Sequence, residues 1–419
     1  MAKRFKAPRG TSDVLPEQAE ARDWVQSRAA RVLTRAGYQP ISTPILEETD
    51  LFIRGVGRST DIVTKEMFTF EDKGQRSLTL RPEGTAPICR AYVEHGMHKW
   101  AQPVKLSYSG PFFRHERPQA GRYRQFHQIG IEAIGTASPL ADAEAIIVLS
   151  ELLNEIGVPD LRLRLGSLGS FGLRVTYLDE LTDYLRENEH DLSEAVRERF
   201  RLNPLRAFDA KDPETREVMR GAPTLVGKLA GEDAQHFEEV RDLLDSAGVE
   251  YTIDPTLVRG LDYYTRTIFS FDCAKLGSQS EIGGGGRYDG LVEQLGGPAT
   301  PAVGWAVGLE RILLALGEEL GRPDEERRVF IAHEEEFSPR LNRQVIELLR
   351  VLRNADVHAE VDLIGRSIKT QMKQADRLGA THVLLLALHG WILRDMKTGH
   401  QTPVELADLV ERVVDAPGE

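Results

Sequence analysis

Apolar residues in the first part of the chain follow two periods. From Ala21 they recur at Val25, Ala29, Val32, Leu33 and Ala36, one face of a helix that Gly37 can stop. The segment Tyr38–Glu47 then reads as extended, broken by Pro40 and Pro44. This helix and strand suit either a dimer edge or a plain surface. Met67–Phe70 and Ser77–Leu80 predict a hairpin around Asp72-Lys73-Gly74. The clearest alternation lies between Ser107 and Gly135. Leu106, Tyr108, Gly110, Phe112 and Arg114 share one face of a strand. Phe126, Gln128, Gly130 and Glu132 share a face of a second strand, with Ile129, Ile131 and Ala133 opposite. Pro118 and Gly121 suit the long loop between them.

Further on, Pro139–Ile156 reads as a helix closed by Gly157, and Leu161–Leu165 as a strand. Residues 171–248 change character. Charges are dense, helical patterns dominate, and the segment predicts an insertion packed on the main sheet, with no chemistry of its own. Strand-like text returns at Tyr251–Ile253 and at 257–271. The run Gly283-Gly284-Gly285-Gly286 sits inside another strand, where glycines mark close approach by a ligand or a neighbouring strand. Ala302–Val307 predicts a strand feeding a helix from Gly308, with Arg311 in its first turn. The breaker-rich stretch 321–326 is the expected boundary between a domain at 1–325 and one at 327–419. Beyond it, strands at Val329–Ala332, His358–Val361 and Val383–Leu388 alternate with helices at Pro339–Asn354, Ser367–Leu378 and Val404–Val414. That alternation predicts a small α/β domain of the parallel type.

Composition narrows the class. A net charge of −12 argues against a protein that coats nucleic acid non-specifically, yet leaves room for a local basic surface. Such a stripe exists: Arg366, Lys369, Lys373 and Arg377 lie opposite Ile368, Met372 and Ala375, suited equally to a phosphate backbone or to solvent. Two cysteines, Cys89 and Cys273, lack metal-ligand spacing, which fits a reducing compartment. The basic start at Met1–Lys6 runs into Pro8-Arg9-Gly10 rather than an apolar run. The longest apolar stretch, Val383–Leu388, is too short for a membrane, so a cytoplasmic protein is expected.

The candidate chemistry gathers on the central hairpin. One face presents Arg114, Glu116, Gln128 and Glu132, joined from the loop by Arg117, Arg122 and Arg124. Polar groups converging on a sheet floor need partners, and the guanidinium fork matches phosphate oxygens. Arg81-Pro82-Glu83-Gly84-Thr85 adds polar groups where a strand ends and a helix begins. Arg259 clusters with Tyr263 and Tyr264 beside Gly260. The glycine run is neither a Walker A loop nor a dinucleotide fingerprint.

Arginines at 114, 122, 259 and 311 directed at an antiparallel sheet resemble the class II aminoacyl-tRNA synthetases, whose three motifs are recognisable near 37–48, 105–134 and 302–316. The chain is more closely similar to the histidyl-tRNA synthetase family. Leu257-Val258-Arg259-Gly260-Leu261-Asp262-Tyr263-Tyr264 and Gly285-Gly286-Arg287-Tyr288-Asp289-Gly290-Leu291 resemble its two histidine signatures. Pro8-Arg9-Gly10-Thr11 and Arg81–Thr85 match as well. A departure is Ala387-Leu388-His389-Gly390-Trp391, where that family usually has a Gly-Glu pair.

The resemblance implies an α+β fold: an antiparallel sheet flanked by helices, a helical insertion, and a C-terminal anticodon-binding domain. It implies activation of L-histidine by ATP with Mg²⁺, transfer to the terminal adenosine of histidine tRNA, and a homodimer. Arg114 and Arg259 would bridge the histidine carboxylate and the α-phosphate. Arg122 and Arg311 would hold the outer phosphates, and Arg311 and Phe126 would cover the adenine, with Glu116 in the ATP set. Glu83, Thr85 and Gln128 would bind the α-amino group; Glu132 and Tyr264 would read the imidazole beside Tyr263. No metal ligand among the protein side chains is implied. Two relatives of the same fold differ in sequence. A regulatory paralogue of histidine biosynthesis typically lacks the last domain and the signature around Arg259, and a sensor of uncharged tRNA has eroded adenylation residues. This chain has the last domain and the Arg259 signature, and its adenylation residues are not eroded.

Overall fold

The computed structural model describes residues 5–58, 60–277, 279–317, 327–333, 339–387, 390–405 and 408–414. It divides into two compact units, Met1–Leu320 and Gly321–Glu419. The expected linker 321–326 lies outside the described residues, as do Leu388 and His389.

Strands of the first unit are β1 (Gln39–Pro40), β2 (Leu46–Glu48), β3 (Phe68–Glu71), β4 (Ser77–Leu80), β5 (Val104–Phe113), β6 (Gln125–Ile134), β7 (Leu161–Ser167), β8 (Thr252–Ile253), β9 (Thr265–Cys273), β10 (Glu281–Arg287) and β11 (Ala302–Gly308). Eight of them form one sheet in the order β1-β5-β6-β11-β10-β9-β7-β8. Pairings from β5 to β7 are antiparallel, and the short outer strands β1 and β8 join in parallel. The β3–β4 hairpin forms where expected, its turn held by Asp72 Oδ1, which accepts from Gly74 N at 2.7 Å and Arg76 N at 2.9 Å.

Both faces of the large sheet are covered. On one, Ile129, Ile131, Val303 and Trp305 meet Val25 and Ala29 of the helix Pro16–Arg35, Ile146 and Leu149 of the helix Pro139–Ile156, and Phe237 and Val240 of the helix Gly231–Ser246. The last of these helices falls within the insertion expected at 171–248, yet it belongs to the main core. The rest of that segment has its own cluster around Tyr177, Leu181, Leu185 and Phe200. On the other face, Leu106, Tyr108 and Phe112 are buried with Ile88, Cys89 and Tyr92 of the helix Thr85–Glu94. The face expected to be polar is thus half apolar, because a second helix layer closes over it and leaves polar groups at the rim and in a buried cluster around Glu132.

The glycine run lies in the middle of the sheet, paired on both sides. A Cβ at Gly283 would come 2.7 Å from the Ala306 carbonyl oxygen, and one at Gly286 2.5 Å from that of Thr267. At Gly284 and Gly285 it would meet the carbonyl oxygens of Phe269 and Gly304. Of the two reasons for such glycines, close approach by neighbouring strands is the one observed here.

Residues 257–264 do not continue a strand. They form an irregular loop, and β9 starts only at Thr265. Arg266, with φ of 46°, breaks the pleat, and the β9–β10 register shifts beside it.

The second unit has strands β12 (Arg328–His333), β13 (His358–Val361), β14 (His382–Ala387), β15 (Gly390–Asp395) and β16 (Gln401–Val404) in the order β13-β12-β14-β15-β16. The pairs β12–β13 and β12–β14 are parallel, as expected. β15 and β16 add an antiparallel hairpin that corrects the all-parallel expectation. Its signal was a polar turn, where Asp395 Oδ1 accepts from Thr398 N at 2.7 Å. The expected helix 404–414 begins only at Leu409, because Val404 closes the hairpin. On the helix Ile368–Arg377, Lys369, Lys373 and Arg377 are exposed. Arg366 instead pairs with Asp362 at 3.4 Å and with Gln374. No helix among the described residues is long and apolar enough to cross a membrane.

The strand spacing at Gly285 is testable. Gly285→Ala is expected to destabilise the protein by about 3 kcal/mol, because the new methyl overpacks against backbone that cannot yield. Gly172→Ala, helical and with nothing near its added Cβ, should stabilise by about 0.5–1 kcal/mol. Chemical denaturation checks both; a tolerated Gly285→Ala would refute the close approach.

Candidate active site

The centre of the site is Glu132, fully buried on β6. Its strand partner across β11 is Gly304, where a Cβ would collide with the Glu132 carboxylate, so glycine makes the room for it. Thr85, the first residue of the helix Thr85–Glu94, donates through Oγ1 to Glu132 Oε1 at 2.8 Å. Tyr288, just past β10, donates to Oε2. Even with both donors, burial pushes the Glu132 carboxyl up to about 8, and the nearby Glu83 adds to the rise.

Glu83 precedes the same helix and accepts from its free N–H groups, Thr85 N at 2.8 Å and Ala86 N at 2.9 Å. Tyr263 reaches its Oε2 at 3.5 Å. Rings of Tyr263 and Tyr264 lie 4.7 Å apart, and those of Tyr263 and Tyr288 5.6 Å. Gln128, the fourth residue of β6, keeps Oε1 buried without a partner, as is the Tyr108 hydroxyl. Tyr108 fits because Gly84 and Gly130 leave space; at Gly84 a Cβ would stand 2.6 Å from the ring.

Cations rim this pocket. Arg114 donates through Nε to the Pro82 carbonyl at 2.8 Å, lies 5.3 Å from the Phe126 ring centroid and 3.8 Å from Glu116. Arg122 pairs with Glu116 at 3.3 Å. Arg259 donates to Glu281 Oε1 at 2.5 Å with its guanidinium 5.9 Å from the Tyr264 ring. The Glu281 carboxylate beside it raises the Arg259 pKa further, against desolvation. Arg311 reaches the start of β10, with Nε on the Glu281 carbonyl at 2.5 Å and another nitrogen on that of Gln279. Burial and the neighbouring Arg122 charge lower its pKa. Two carboxylates, Glu116 and Glu281, thus occupy guanidinium forks that an anionic ligand could take over.

The predicted residues therefore fall into two connected groups. Glu83, Thr85, Gln128, Glu132, Tyr263 and Tyr264 form the buried part; Arg114, Glu116, Arg122, Phe126, Arg259 and Arg311 form the rim. Two loop arginines stand apart. Arg117 is exposed, and Arg124 serves the N-terminal segment, its backbone N donating to the Gly10 carbonyl at 2.7 Å. Sequence reasoning missed Tyr288 as the direct partner of Glu132. The available signal was its place in the Gly285–Leu291 signature. Among the described residues no group of three or more His, Cys, Asp or Glu is placed to hold a metal ion.

Known proteins resemble this chain over most of its length. The family model for histidyl-tRNA synthetase matches residues 10–312. A histidine–tRNA ligase of Thermosynechococcus vestitus is 48% identical over 382 residues, 91% of this chain and 89% of that protein. One from Desulfitobacterium hafniense is 45% identical over 418 residues, 98% and 97% of the two. The apo histidyl-tRNA synthetase structure from S. aureus superposes with a TM-score of 0.80 at 37% identity, covering 98% of this chain and 100% of that one.

The buried carboxyl gives a pH signature. Its pKa when folded, about 8, exceeds the ordinary 4.5. The neutral form therefore fits below pH 4.5 at no electrostatic cost, and stability is lost as pH rises toward 8. At about 1.4 kcal/mol per pH unit the loss is on the order of a few kcal/mol. The stability difference between Glu132→Gln and wild type should move in the variant's favour by that amount between pH 4.5 and 8. Urea unfolding at several pH values measures it; a difference independent of pH would show that Glu132 is ionised throughout.

Proposed function

The chain belongs to the histidyl-tRNA synthetase family, and on that premise we propose that it is a cytoplasmic histidine–tRNA ligase. It activates L-histidine with ATP to histidyl adenylate and transfers histidine to its tRNA. The observation that carries the residue assignments is the buried Glu132 carboxyl on the same strand face as the unpartnered Gln128 carbonyl oxygen. Two acceptors at different depths suit the imidazole N–H and the α-ammonium of one amino acid.

In the first step a histidine carboxylate oxygen attacks the α-phosphorus, and the bond to the bridging oxygen breaks to release pyrophosphate. Two anions must approach, so the cationic rim does most of the work. Arg114 and Arg259 bridge the carboxylate and α-phosphate. Arg122 takes the outer phosphates as the Glu116 carboxylate releases it, Arg311 does so as the Glu281 and Gln279 carbonyls release it, and Phe126 and Arg311 enclose the adenine. Glu83 and Thr85 complete the amino-group site; Tyr263 and Tyr264 line the side-chain site. No side chain acts as a strong base, because the attacking carboxylate is already ionised and the reaction mainly needs positioning. Mg²⁺, when bound with the nucleotide, would supply charge neutralisation to its phosphates. The rim is rich in guanidinium groups and poor in carboxylates, so the ion belongs with the nucleotide rather than in a protein cage. In the second step the 3′-terminal adenosine hydroxyl attacks the histidyl carbonyl and AMP leaves.

Arg259→Ala should reduce histidine-dependent ATP–pyrophosphate exchange by about 10²–10³ while sparing the fold, the usual effect of losing one preorganised donor. Wild-type exchange assayed with all twenty amino acids should respond to histidine alone. Near-normal exchange in the variant would remove Arg259 from the reaction.

We further assign tRNA anticodon contacts to the second unit, through Lys369, Lys373 and Arg377, and dimerisation to the helix Pro16–Arg35 with the 38–47 segment. Residues 1–320 made alone should remain dimeric in light scattering and form adenylate, but charge tRNA poorly. Charging by the full chain should also weaken as salt rises, because phosphate contacts release counterions. A monomeric fragment, or one that charges tRNA as well as the full chain, would contradict this division of labour.

A further inference from the structure

The helical insertion looks idle in sequence, yet its side chains grip the loop 257–264, which carries Arg259, Tyr263 and Tyr264. Arg174, in the first turns of the helix Phe171–Glu187, donates through one terminal nitrogen to two carbonyls of that loop. These are Asp262 O and Tyr264 O, both at 2.9 Å. Arg206 approaches the Gly260 carbonyl at 3.4 Å, and Val258 packs against the insertion's own apolar cluster.

The exit of the loop is held as well. Arg266, in its left-handed conformation, accepts Leu168 N and donates its own N to Gly169 O, each at 2.7 Å. Its Nε reaches Asp233 Oδ1 at 3.2 Å, while Asp233 Oδ2 receives Ser170 N and Oγ. From the far side, Asp262 N donates to the Val56 carbonyl at 3.1 Å. Burial lowers the Arg174 pKa, and its Nε is buried without a partner. A desolvated guanidinium spent on two loop carbonyls is costly unless the loop's position matters.

We propose that Arg174 is a positioning residue for histidine activation, and that the insertion it belongs to serves to hold the 257–264 loop. The loop lacks a strand partner of its own. Without Arg174, the peptide units at 262 and 264 lose donors, and Arg259 and Tyr264 drift relative to the sheet. Misplacement on the scale of an ångström is enough to cost about 10²-fold in rate. This role rests on the histidine-activating reading above.

The test compares Arg174→Ala, Arg174→Lys and Tyr184→Phe in the full-length protein. Tyr184→Phe removes a hydroxyl bond to the Val218 carbonyl (2.8 Å) inside the same insertion, a bond that does not involve the loop. Three readouts are needed: thermal stability, backbone hydrogen exchange of the ligand-free protein over 257–264, and pyrophosphate-exchange kinetics. Arg174→Ala should speed exchange in that loop and lower kcat/KM for histidine roughly 10–100-fold. The histidine KM should rise more than the ATP KM. Arg174→Lys, which retains a cationic donor, should recover most of the loss, and Tyr184→Phe should lower Tm with kinetics unchanged. If Arg174→Ala lowers Tm but leaves loop exchange or the KM ratio as in wild type, the residue is merely structural and the proposal fails. Wild-type protein without histidine-dependent exchange would instead overturn the activity reading itself, and the positioning role with it.

Discussion

A buried ion pair ties the catalytic unit together. Arg287, at the end of β10, has no exposed surface and pairs with Asp142 at 3.0 Å, itself fully buried in the helix Pro139–Ile156. The same guanidinium donates to Thr136 O at 2.8 Å and Ser138 O at 3.1 Å, just before that helix. Asp142 also accepts from His236 at 2.5 Å and Thr267 at 3.1 Å. One pair thus joins β9, β10, the helix after β6 and the last helix of the insertion. Removing one partner of such a pair typically costs about 3–5 kcal/mol, because the other charge is left desolvated. The residue after Arg287 is Tyr288, so the same anchor directs that hydroxyl onto Glu132.

The rim obeys the opposite logic. Its arginines are partly exposed and their partners are exchangeable: a carboxylate for Arg122 and Arg259, backbone carbonyls for Arg114 and Arg311. Cations held this way stay oriented without ligand, which is the preorganisation that the proposed phosphate contacts require. The floor is fixed by buried hydrogen bonds and the rim by replaceable ones. That division matches a site that must keep its amino-acid specificity while binding and releasing a nucleotide.

Much of this was readable from residue order. Period-2 alternation located β5 and β6, and helical spacing with Gly157 bounded the helix Pro139–Ile156 correctly, because each pattern is set by side chains within a few residues. The loop 257–264 was misread as strand since its apolar and aromatic residues alternate like one. They are buried by the second helix layer and by the insertion, which no local period reveals. Likewise Leu106, Tyr108 and Phe112 looked like part of a polar floor and proved to be core.

Sequence alone determined which side chains are candidates for the chemistry. It carried the arginines, the paired signatures and the glycines that permit close strands, because residue type and strand parity are local properties. Tertiary structure decided the rest. It chose Tyr288 rather than a residue of the Tyr263–Tyr264 pair as the direct partner of Glu132, and it made Glu83 a helix cap as well as a candidate ligand. It also turned Arg174 and Arg206, two charges among many in a polar insertion, into clamps on a distant loop. The physical reason is common to the Tyr288 contact and to the two clamps. Hydrogen bonds between residues 80 or more positions apart in some cases, and about 50 in others, depend on how helices and strands pack, and packing is a property of the whole chain.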